Sequence, residues 1–291
     1  MSLLKTFKNY CSYFEKYLST WLVAVAIFTC STYMELNTTP FQRHFSLSDT
    51  KISYPFSKVE QFNNFKLAIT AVVFPFTIMV VIIFIKSLKK SNKDKSQIIH
   101  LAHITTLSYF MALSLNVIIT EFLKLRIGKL RPDFLERCGA DVPIDDIMLD
   151  PFKIYNSSIC TAPYGQAILM DGFKSCPSGH SSFAWTGFNF LNLFIMGQLK
   201  LYSGSNNNKG RFTLLKLINL LPLAFCLHIA LSRSQDYRHD FYDITLGSLI
   251  GFTASTFSYY QFFHFIFDED CDQTRFDDSK LLDTGDVVLP L

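Results

Sequence analysis

The fold is set by the stretch Leu67-Ala-Ile-Thr-Ala-Val-Val-Phe-Pro-Phe-Thr-Ile-Met-Val-Val-Ile-Ile-Phe-Ile85, which contains no Asp, Glu, Lys or Arg. Its length is close to the ~20 apolar residues that a helix needs to cross the hydrocarbon layer of a membrane. Because the bilayer core holds no water, the backbone amides must be hydrogen-bonded within the segment, which a helix achieves and a lone strand does not. The stretch therefore predicts a membrane-spanning helix.

Five further blocks that are free or nearly free of charge lie on both sides of this stretch. They cover residues 19–34, 101–120, 181–199, 212–232 and 244–267, and only Lys216 interrupts them. Pro75 and Pro222 lie inside two of the six blocks and predict kinks without forbidding spanning. We predict an all-α polytopic membrane protein, a six-transmembrane-helix bundle with a large extracytoplasmic loop between spans 3 and 4.

The overall composition agrees with these blocks. Of the 291 residues, 49% are hydrophobic and 18% are charged, whereas a soluble domain carries about 25% charged residues. The charged residues lie between the blocks, and the formal net charge is only +3. This pattern excludes a disordered chain, a collagen-like repeat and nucleic-acid binding driven by net charge.

The two ends of the chain differ from the blocks. A polar segment with Lys5, Lys8 and Lys16 precedes the first block, and a small-x-small cleavage site is missing, so a retained span is expected rather than a secretory signal. The predicted organisation is a cytoplasmic N-terminus at 1–18, a six-span membrane domain at 19–267 and an acidic, mobile cytoplasmic tail at 268–291.

Charge density, sequons and cysteines bear on orientation. The segments on the side of the N-terminus hold 11 Lys and Arg, and the opposite loops hold 13 over more than twice the length, so only the density follows the positive-inside rule. Asn37 and Asn156 begin the two Asn-x-Ser/Thr sequons, both in the opposite loops, and are candidate glycosylation sites outside the cytoplasm. Cys138, Cys160 and Cys176 share the large outer loop, where a Cys138–Cys160 disulfide and free thiols are equally open interpretations.

A basic cluster follows span 3. Lys124 and Arg131 are seven residues apart, so if the helix continues they share one face, about 10 Å apart along its axis, and Pro132 ends the helix. Taken alone, such a cluster more often binds acidic lipid headgroups.

A short polar motif, Pro177-Ser178-Gly179-His180, precedes span 4. A hydroxyl, unpaired backbone N–H groups and the positive end of a helix dipole suit an anion, and His180 is placed to donate a proton to it. The alternative is an ordinary serine cap with an incidental histidine.

A third motif, Ser232-Arg233-x5-His239-x3-Asp243, lies between spans 5 and 6. If both residues are on one helix, Asp243 accepts from one ring nitrogen of His239 and leaves the other as a nucleophile. The alternative is a solvated polar turn in which Asp243 is only a cap.

The alternation of spans brings the three motifs together. The end of span 3, the start of span 4, the end of span 5 and the start of span 6 must all lie on one side of the membrane. Lys124, Arg131 and Arg233 can neutralise an oxyanion there, while the two histidines transfer protons or attack phosphorus. The combination predicts a phosphoryl ligand and contains no obvious carboxylate cage for Mg²⁺.

In order and in membrane position, the three motifs resemble the signature of the type 2 phosphatidic acid phosphatase superfamily, from about span 3 to span 6. The stretches 131–138 and 232–239 are more narrowly similar to the fungal diacylglycerol pyrophosphate and lipid phosphate phosphatases. The resemblance implies that His239 forms a phosphohistidine, that Asp243 orients His239, and that His180 protonates the leaving oxygen. It also implies the phosphate-binding groups Lys124, Arg131, Arg233, Ser178 and Gly179.

The resemblance further implies hydrolysis of a membrane phospholipid without a metal or other cofactor. Diacylglycerol pyrophosphate and phosphatidate are expected first, with sphingoid base phosphates and polyisoprenyl diphosphates as alternatives; nucleic acid is not an expected partner. Two other interpretations are a catalytically silent lipid-binding or transport protein and a metal site formed by His180, His239 and Asp243. Fungal relatives point to the vacuole, the Golgi or the plasma membrane, with the site facing the lumen or exterior.

Five charged residues near the site but outside the signature are expected to contact headgroups or solvent: Arg126, Lys129, Asp236, Arg238 and Asp240.

Overall fold

The computed structural model describes residues 3–89, 95–203 and 209–284, and these residues are mostly helical. The long helices are α1 (Leu3–Asn37), α3 (Phe74–Lys89), α4 (Lys95–Ile127), α8 (Gly179–Gln198), α9 (Lys209–Ile218), α10 (Leu221–Gln235) and α11 (Phe241–Phe262). The short ones are α2 (Asn64–Leu67), α5 (Phe134–Cys138), α6 (Ile144–Leu149), α7 (Gln166–Asp171) and α12 (Ser279–Thr284). One antiparallel pair of two-residue strands joins β1 (Phe45–Ser46) to β2 (Ile154–Tyr155).

Four helical segments are long and apolar enough to cross a membrane, which agrees with a multi-pass membrane protein. They cover Asn9–Asn37, Asn64–Leu88, Lys95–Ile127 and Thr213–Gln235. The fourth and sixth predicted spans correspond to α8 and α11, which are less apolar. With 20 and 22 residues, both are at least ~30 Å long at 1.5 Å per residue. The described part of the chain therefore supports four spans by length and hydropathy.

The lower hydropathy of α8 follows from its central position. It packs against α4, α10 and α11, and most of its side chains are buried. Asn189, for example, donates to Ser255 Oγ of α11 at 2.8 Å. A helix enclosed by other helices can carry polar groups that find partners there, whereas a lipid-facing helix cannot.

Two glycines bring α11 unusually close to α8. A Cβ at Gly247 would lie 2.3 Å from the carbonyl oxygen of Ser178, and one at Gly251 would lie 2.1 Å from that of Ser182. Since the two glycines are four residues apart, they lie on one face of α11, and small residues there let the two backbones approach. This contact fixes the start of α8 against the start of α11.

We expect Gly251→Val to separate α11 from α8, because the added side chain overlaps the Ser182 carbonyl. Overpacking of this kind typically costs about 1–3 kcal/mol. The measurement is the thermal unfolding midpoint of the detergent-purified protein. Thr253→Val, at an exposed position of the same helix, is the control and should leave the midpoint unchanged. An unchanged midpoint in Gly251→Val would contradict the close packing.

Both prolines predicted to kink a span lie at an irregularity. Pro75 is the second residue of α3, just after the π-helical segment Ala68–Val73, as expected where proline removes a backbone donor and crowds the carbonyl of the preceding turn. Tyr109 of α4 donates to the carbonyl oxygen of Val72 at 3.0 Å. Pro222 lies at the start of α10, just after the break that separates it from α9.

The segments 38–63 and 128–178 form a small second hydrophobic core next to the end of α4 and the start of α8. Its buried residues include Phe45, Ile52, Leu130, Phe134 and Phe173. A Cys138–Cys160 disulfide is present within it, and Cys176 is free, so of the two open interpretations the disulfide is confirmed over free thiols at Cys138 and Cys160. The large loop between the third and fourth predicted spans is therefore a folded cap.

The tail differs from the expected mobile segment as far as it is described. Tyr17 and Lys16 of α1 bind the Asp278 carboxylate at 2.6 and 2.5 Å, and Leu281 and Leu282 are buried. Burial of these leucines and the two contacts to Asp278 hold residues 268–284 against α1 and α4, despite their acidic composition. The remainder of the predicted tail, 285–291, lies outside the described residues.

Candidate active site

The first motif leaves its helix earlier than the sequence predicts. The helix α4 ends at Ile127, and Gly128 has a left-handed backbone with φ of 59°, a conformation that glycine adopts at helix ends. A Cβ there would also lie 2.0 Å from the carbonyl oxygen of Phe41. Lys124 is thus in the last turn of α4 and Arg131 is in the loop beyond it. The helix therefore does not continue to Pro132, and Lys124 and Arg131 do not share one helical face.

The second motif begins α8 with Ser178 as its N-cap. The Ser178 hydroxyl accepts from the backbone N–H of Ser181, and its own N–H donates to the Asp243 carbonyl oxygen at 2.9 Å. Ser178 is fully buried. Its hydroxyl caps the N-terminus of α8, and its amide joins that N-terminus to Asp243 of α11. A Cβ on Gly179 would lie 3.0 Å from Lys124 Nζ, which places the lysine beside the N-terminus of α8.

His180 of this motif is held by the segment 38–63. Its Nε2 lies 2.8 Å from the carbonyl oxygen of Phe62. A carbonyl oxygen only accepts, so Nε2 carries the hydrogen of this bond, and Nδ1 of the neutral ring is the acceptor. Phe62 is distant in sequence and carries no motif, so sequence reasoning could not identify this contact.

The third motif places His239 before α11 and Asp243 inside it. The helix starts at Phe241, with Asp240 as N-cap and Asp243 completing a capping box. His239 therefore lies outside the helix that contains Asp243, so the condition of a shared helix is not met, and Asp243 does cap α11 as the alternative expected. His239 Nδ1 donates to the backbone carbonyl of Ser175 at 2.7 Å, while Asp243 Oδ2 lies 3.7 Å from the same nitrogen.

These contacts fix which nitrogen of His239 is available. With Nδ1 donating to Ser175, Nε2 holds the lone pair of the neutral ring. Burial lowers the pKa of His239 to about 4, and the positive charge of Arg131 acts in the same direction against the opposing effect of Asp243. The ring is therefore neutral at neutral pH, as a nucleophile must be. Burial also raises the pKa of the nearby Cys176 to about 12, so its thiol is not a competing nucleophile.

Lys129 and Ser175 support the Asp243 carboxylate behind this histidine. Lys129 Nζ binds Asp243 Oδ1 at 2.8 Å and Asp240 Oδ2 at 2.5 Å, and the Ser175 hydroxyl donates to Asp243 Oδ2. Burial alone would lower the pKa of Lys129, but the bonds to Asp240 and Asp243 raise it above its usual value. Asp243 is fully buried. Burial alone would raise the pKa of its carboxyl, but the neighbouring His239, Lys129 and Ser175 hold that pKa below its usual value.

Each cation of the signature has a carboxylate partner. Lys124 pairs with Glu121 at 2.6 Å, and Arg131 pairs with Asp171 at 2.8 Å. The fully buried Arg233 is bound by Glu60 at 2.7 Å and by Asp236 at 2.5 Å. Sequence spacing could have suggested Glu121 and Asp236, which lie three residues from their partners. Glu60 and Asp171 are far from theirs in sequence and gave no signal.

The residues expected to contact headgroups or solvent divide into two groups. Arg126 is exposed as expected. Lys129, Asp236 and Arg238 instead form ion pairs around the site, and Asp240 is the partner of Lys129. Asp236 and Arg238 are buried, so the expectation that they are solvated is wrong, because ion-pair partners enclose them. Lys129 and Asp240 remain partly exposed although they pair with each other.

One cavity of about 470 Å³ collects the catalytic candidates. Six of the eight predicted residues line it: Lys124, Arg131, Gly179, His180, Arg233 and His239. Apolar residues line another part: Phe28, Leu67, Ala68, Val72, Val117 and Phe183. Ser178 and Asp243 do not line the cavity. They lie behind the lining residues, where Ser178 caps α8 and Asp243 binds Lys129. Four carboxylates also line the cavity beside the cations: Glu35, Glu60, Glu121 and Asp171. The cavity thus joins a charged wall of paired cations and carboxylates to an apolar wall formed by α1, α2, the π-helical segment, α4 and α8.

Comparison with known protein families identifies the family to which this chain belongs. The model of the PAP2 superfamily matches residues 105–267, more than half of the chain and all three motifs. The chain belongs to the PAP2 superfamily. It is 34% identical to diacylglycerol pyrophosphate phosphatase 1 of Saccharomyces cerevisiae, over 86% of this chain and 79% of that protein. It is also 34% identical to a probable diacylglycerol pyrophosphate phosphatase 1 of Schizosaccharomyces pombe, over 84% of this chain and 81% of that protein.

A plant relative extends the same pattern. Lipid phosphate phosphatase 2 of Arabidopsis thaliana is 30% identical, over 69% of this chain and 61% of that protein. No solved structure gives a significant match. As a PAP2 protein whose relatives are phosphatases, the chain is a phosphatase, and a phosphohistidine intermediate is general to its family.

Proposed function

We propose that this protein is an integral-membrane lipid phosphate phosphatase that removes phosphate from diacylglycerol pyrophosphate and phosphatidate. The observation that carries the proposal is the single cavity in which both histidines and three cations meet an apolar wall. A lipid headgroup needs the cationic part, and its chains need an apolar path to the bilayer. The names of the two fungal relatives support the choice of substrates.

In the proposed mechanism, His239 Nε2 attacks the terminal phosphorus. His180 enters this step as an imidazolium, with Nε2–H bound to the Phe62 carbonyl and a second proton on Nδ1. The N–P bond forms as the bond from phosphorus to the leaving oxygen breaks, and His180 gives its Nδ1 proton to that oxygen. Lys124, Arg131 and the N–H group of Gly179 stabilise the charge of the transferring phosphoryl group, together with Arg233.

Water then completes the reaction. His180, now neutral, takes a proton from water as the water attacks the phosphohistidine, which releases phosphate and restores His239. In this proposal Asp243 is a positioning residue, because it keeps Ser175 and Lys129 in place and contributes negative charge near the imidazole. Ser178 fixes the start of α8.

We further propose the six-span topology with α8 and α11 as the fourth and sixth spans. Both termini would then be cytoplasmic and the cavity would face the lumen or the exterior of a vacuolar, Golgi or plasma membrane. The lengths of α8 and α11 and their burial among other helices support this topology. Asn37 and Asn156 are both exposed, which suits the proposed glycosylation on the same side.

We expect hydrolysis without added metal, and we expect excess EDTA to leave the rate of phosphate release from phosphatidate unchanged. The oxygens of Asp243 are already bound by Lys129 and Ser175, so a site of His180, His239 and Asp243 fits a divalent cation poorly. The measurement is initial phosphate release by the detergent-purified protein. Loss of activity in EDTA that Mg²⁺, Mn²⁺ or Zn²⁺ restores would favour the metalloenzyme instead.

A competition assay addresses the alternative substrates. Diacylglycerol pyrophosphate, phosphatidate, a sphingoid base phosphate and a polyisoprenyl diphosphate are offered in the same mixed micelles, each with its own label. The proposal expects the two glycerolipids to have the largest kcat/KM values. Preference for a sphingoid or polyisoprenyl substrate would reassign the substrate within the phosphatase class, and no turnover of any lipid would favour a lipid-binding protein.

A further inference from the structure

Two cations outside the family signature line the same cavity. Arg238 directly precedes His239 in sequence, and Lys174 follows α7 in the folded cap. Arg238 is only 8% exposed, with its guanidinium over the ring of Phe56 at 4.7 Å. Because removing a charged guanidinium from water is costly unless it gains partners, a buried arginine at a cavity wall needs an explanation.

The partners of Arg238 satisfy it incompletely. Its Nη2 binds Glu60 Oε1 at 2.8 Å and the carbonyl oxygen of Ser57 at 3.1 Å. Its nearest atom to the other neighbouring carboxylate, Asp133, is 3.8 Å away. Within the described residues, its Nε is buried without a hydrogen-bond acceptor. Because Nε is enclosed by protein, a ligand in the cavity cannot reach it. The atom with capacity for a further anionic ligand is Nη1, which is not fully buried and lies 3.8 Å from Asp133 Oδ2, beyond hydrogen-bond distance.

Glu60 shows how close Arg238 is to the signature arginine. Its two carboxylate oxygens bind different residues, Oε2 contacting Arg233 and Oε1 contacting Arg238, at 2.7 and 2.8 Å. One small anionic group thus bridges both guanidinium groups. A ligand with two adjacent phosphates can do the same, with one phosphate on Arg233 and the next on Arg238.

Lys174 supplies a second unassigned charge. It lines the cavity, and within residues 3–89, 95–203 and 209–284 no carboxylate lies within 4.0 Å of its ammonium group. The three signature cations each have a carboxylate partner and are sufficient for one phosphoryl group in the proposed mechanism. Arg238 and Lys174 are additional to that requirement.

We propose that Arg238 and Lys174 form a second phosphate subsite, which binds the phosphate that stays on a diphosphate lipid while the terminal phosphate moves to His239. In that step the N–P bond forms, the bridging P–O bond breaks, and the retained phosphate leaves with the electron pair. Arg238 and Lys174 stabilise the charge that develops on it. A monophosphate lipid has no group for this subsite, so the two residues discriminate diphosphates from monophosphates.

The inference rests on the proposed phosphatase function, and its test compares two substrates. Arg238→Gln and Lys174→Gln are purified in detergent, and initial release of terminal phosphate is measured from labelled diacylglycerol pyrophosphate and from labelled phosphatidate. We expect the ratio of kcat/KM for the diphosphate to that for the monophosphate to fall about tenfold or more, the loss typical of a charge-assisted hydrogen bond. Arg238→Lys should restore part of this ratio, because it keeps the charge.

Lys153→Gln is the matched control, since Lys153 lies in the same folded cap, is exposed and is not among the cavity residues. It should leave both kcat/KM values unchanged. An equal fall on both substrates, or no fall on either, would contradict the subsite and leave the phosphatase function in place. If Arg238→Gln does not fold, as judged by size-exclusion chromatography, the partly exposed Lys174 still decides the matter. A wild-type protein that hydrolyses neither lipid would contradict both proposals.

Discussion

Replacing His239 by alanine is expected to lower phosphate release by about 10⁴-fold or more, because the substitution removes the proposed nucleophile and with it the covalent step. The structure offers no obvious substitute within the described residues of the cavity. The Cys176 thiol is held in its protonated form by burial, and His180 is the proton donor of the proposed mechanism, so it has no lone pair to offer phosphorus until that proton has left. Release of phosphate from labelled phosphatidate by the detergent-purified variant measures the loss.

A trapping experiment tests the covalent step itself. During turnover of terminally labelled diacylglycerol pyrophosphate, a rapid quench should retain label on the wild-type protein and none on His239→Ala. His44→Ala is the control, because His44 is an exposed histidine of the segment 38–63 and does not line the cavity. It should keep both activity and label. Activity or label that persists in His239→Ala would show that another residue attacks phosphorus.

The helices and the grouping of the motifs could be predicted because both follow from local composition. Uncharged blocks of about 20 residues have few alternatives to a helix in a bilayer, and the alternation of the predicted spans places the three motifs on one side. The two helix boundaries near the site were harder to predict. The end of α4 depends on Gly128 meeting the backbone of Phe41, and the start of α11 depends on the capping pair Asp240 and Asp243.

The partners of the charged residues could not be predicted, because they come from distant parts of the chain. Glu60 lies more than 170 residues before Arg233 in sequence, and Ser175 lies 64 residues before His239. Such pairs form only when the segment 38–63 and the folded cap, residues 128–178, fold over the helix ends. The cations of the three motifs predicted an anionic ligand, yet in the structure the carboxylates of Glu60 and Asp171 already pair with Arg233 and Arg131.

These carboxylates have a physical consequence for binding. Without them, Arg131 and Arg233 would repel each other in a partly buried cavity, and the cavity would be hard to preorganise. With them, a phosphate gains only the difference between its own contacts and those it replaces or shares. Specificity can therefore reside in residues such as Arg238, whose partners satisfy it incompletely, more readily than in the fully paired signature cations.

Substituting His180 by glutamine is expected to separate the two lipid substrates in the opposite sense to Arg238→Gln. On phosphatidate the leaving group is the oxygen of diacylglycerol, which departs poorly unless it is protonated, so kcat/KM should fall about 10²–10⁴-fold. On diacylglycerol pyrophosphate the leaving group is phosphatidate, a stabilised anion that needs the proton less. Its kcat/KM should fall at least about tenfold less than that of phosphatidate, whereas its kcat should fall strongly, because hydrolysis of the phosphohistidine still requires a base.

The variant should consequently show a burst of phosphatidate equal to the enzyme concentration, followed by slow turnover, when diacylglycerol pyrophosphate is the substrate. Rapid-quench measurement of phosphatidate and free phosphate from the same samples resolves the two steps. Equal losses of kcat/KM on both lipids would show that His180 does not protonate the leaving oxygen. Since Arg238→Gln weakens the diphosphate reaction and His180→Gln weakens the monophosphate reaction, opposite shifts of one substrate ratio distinguish leaving-group binding from leaving-group protonation, which general unfolding of the cavity cannot imitate.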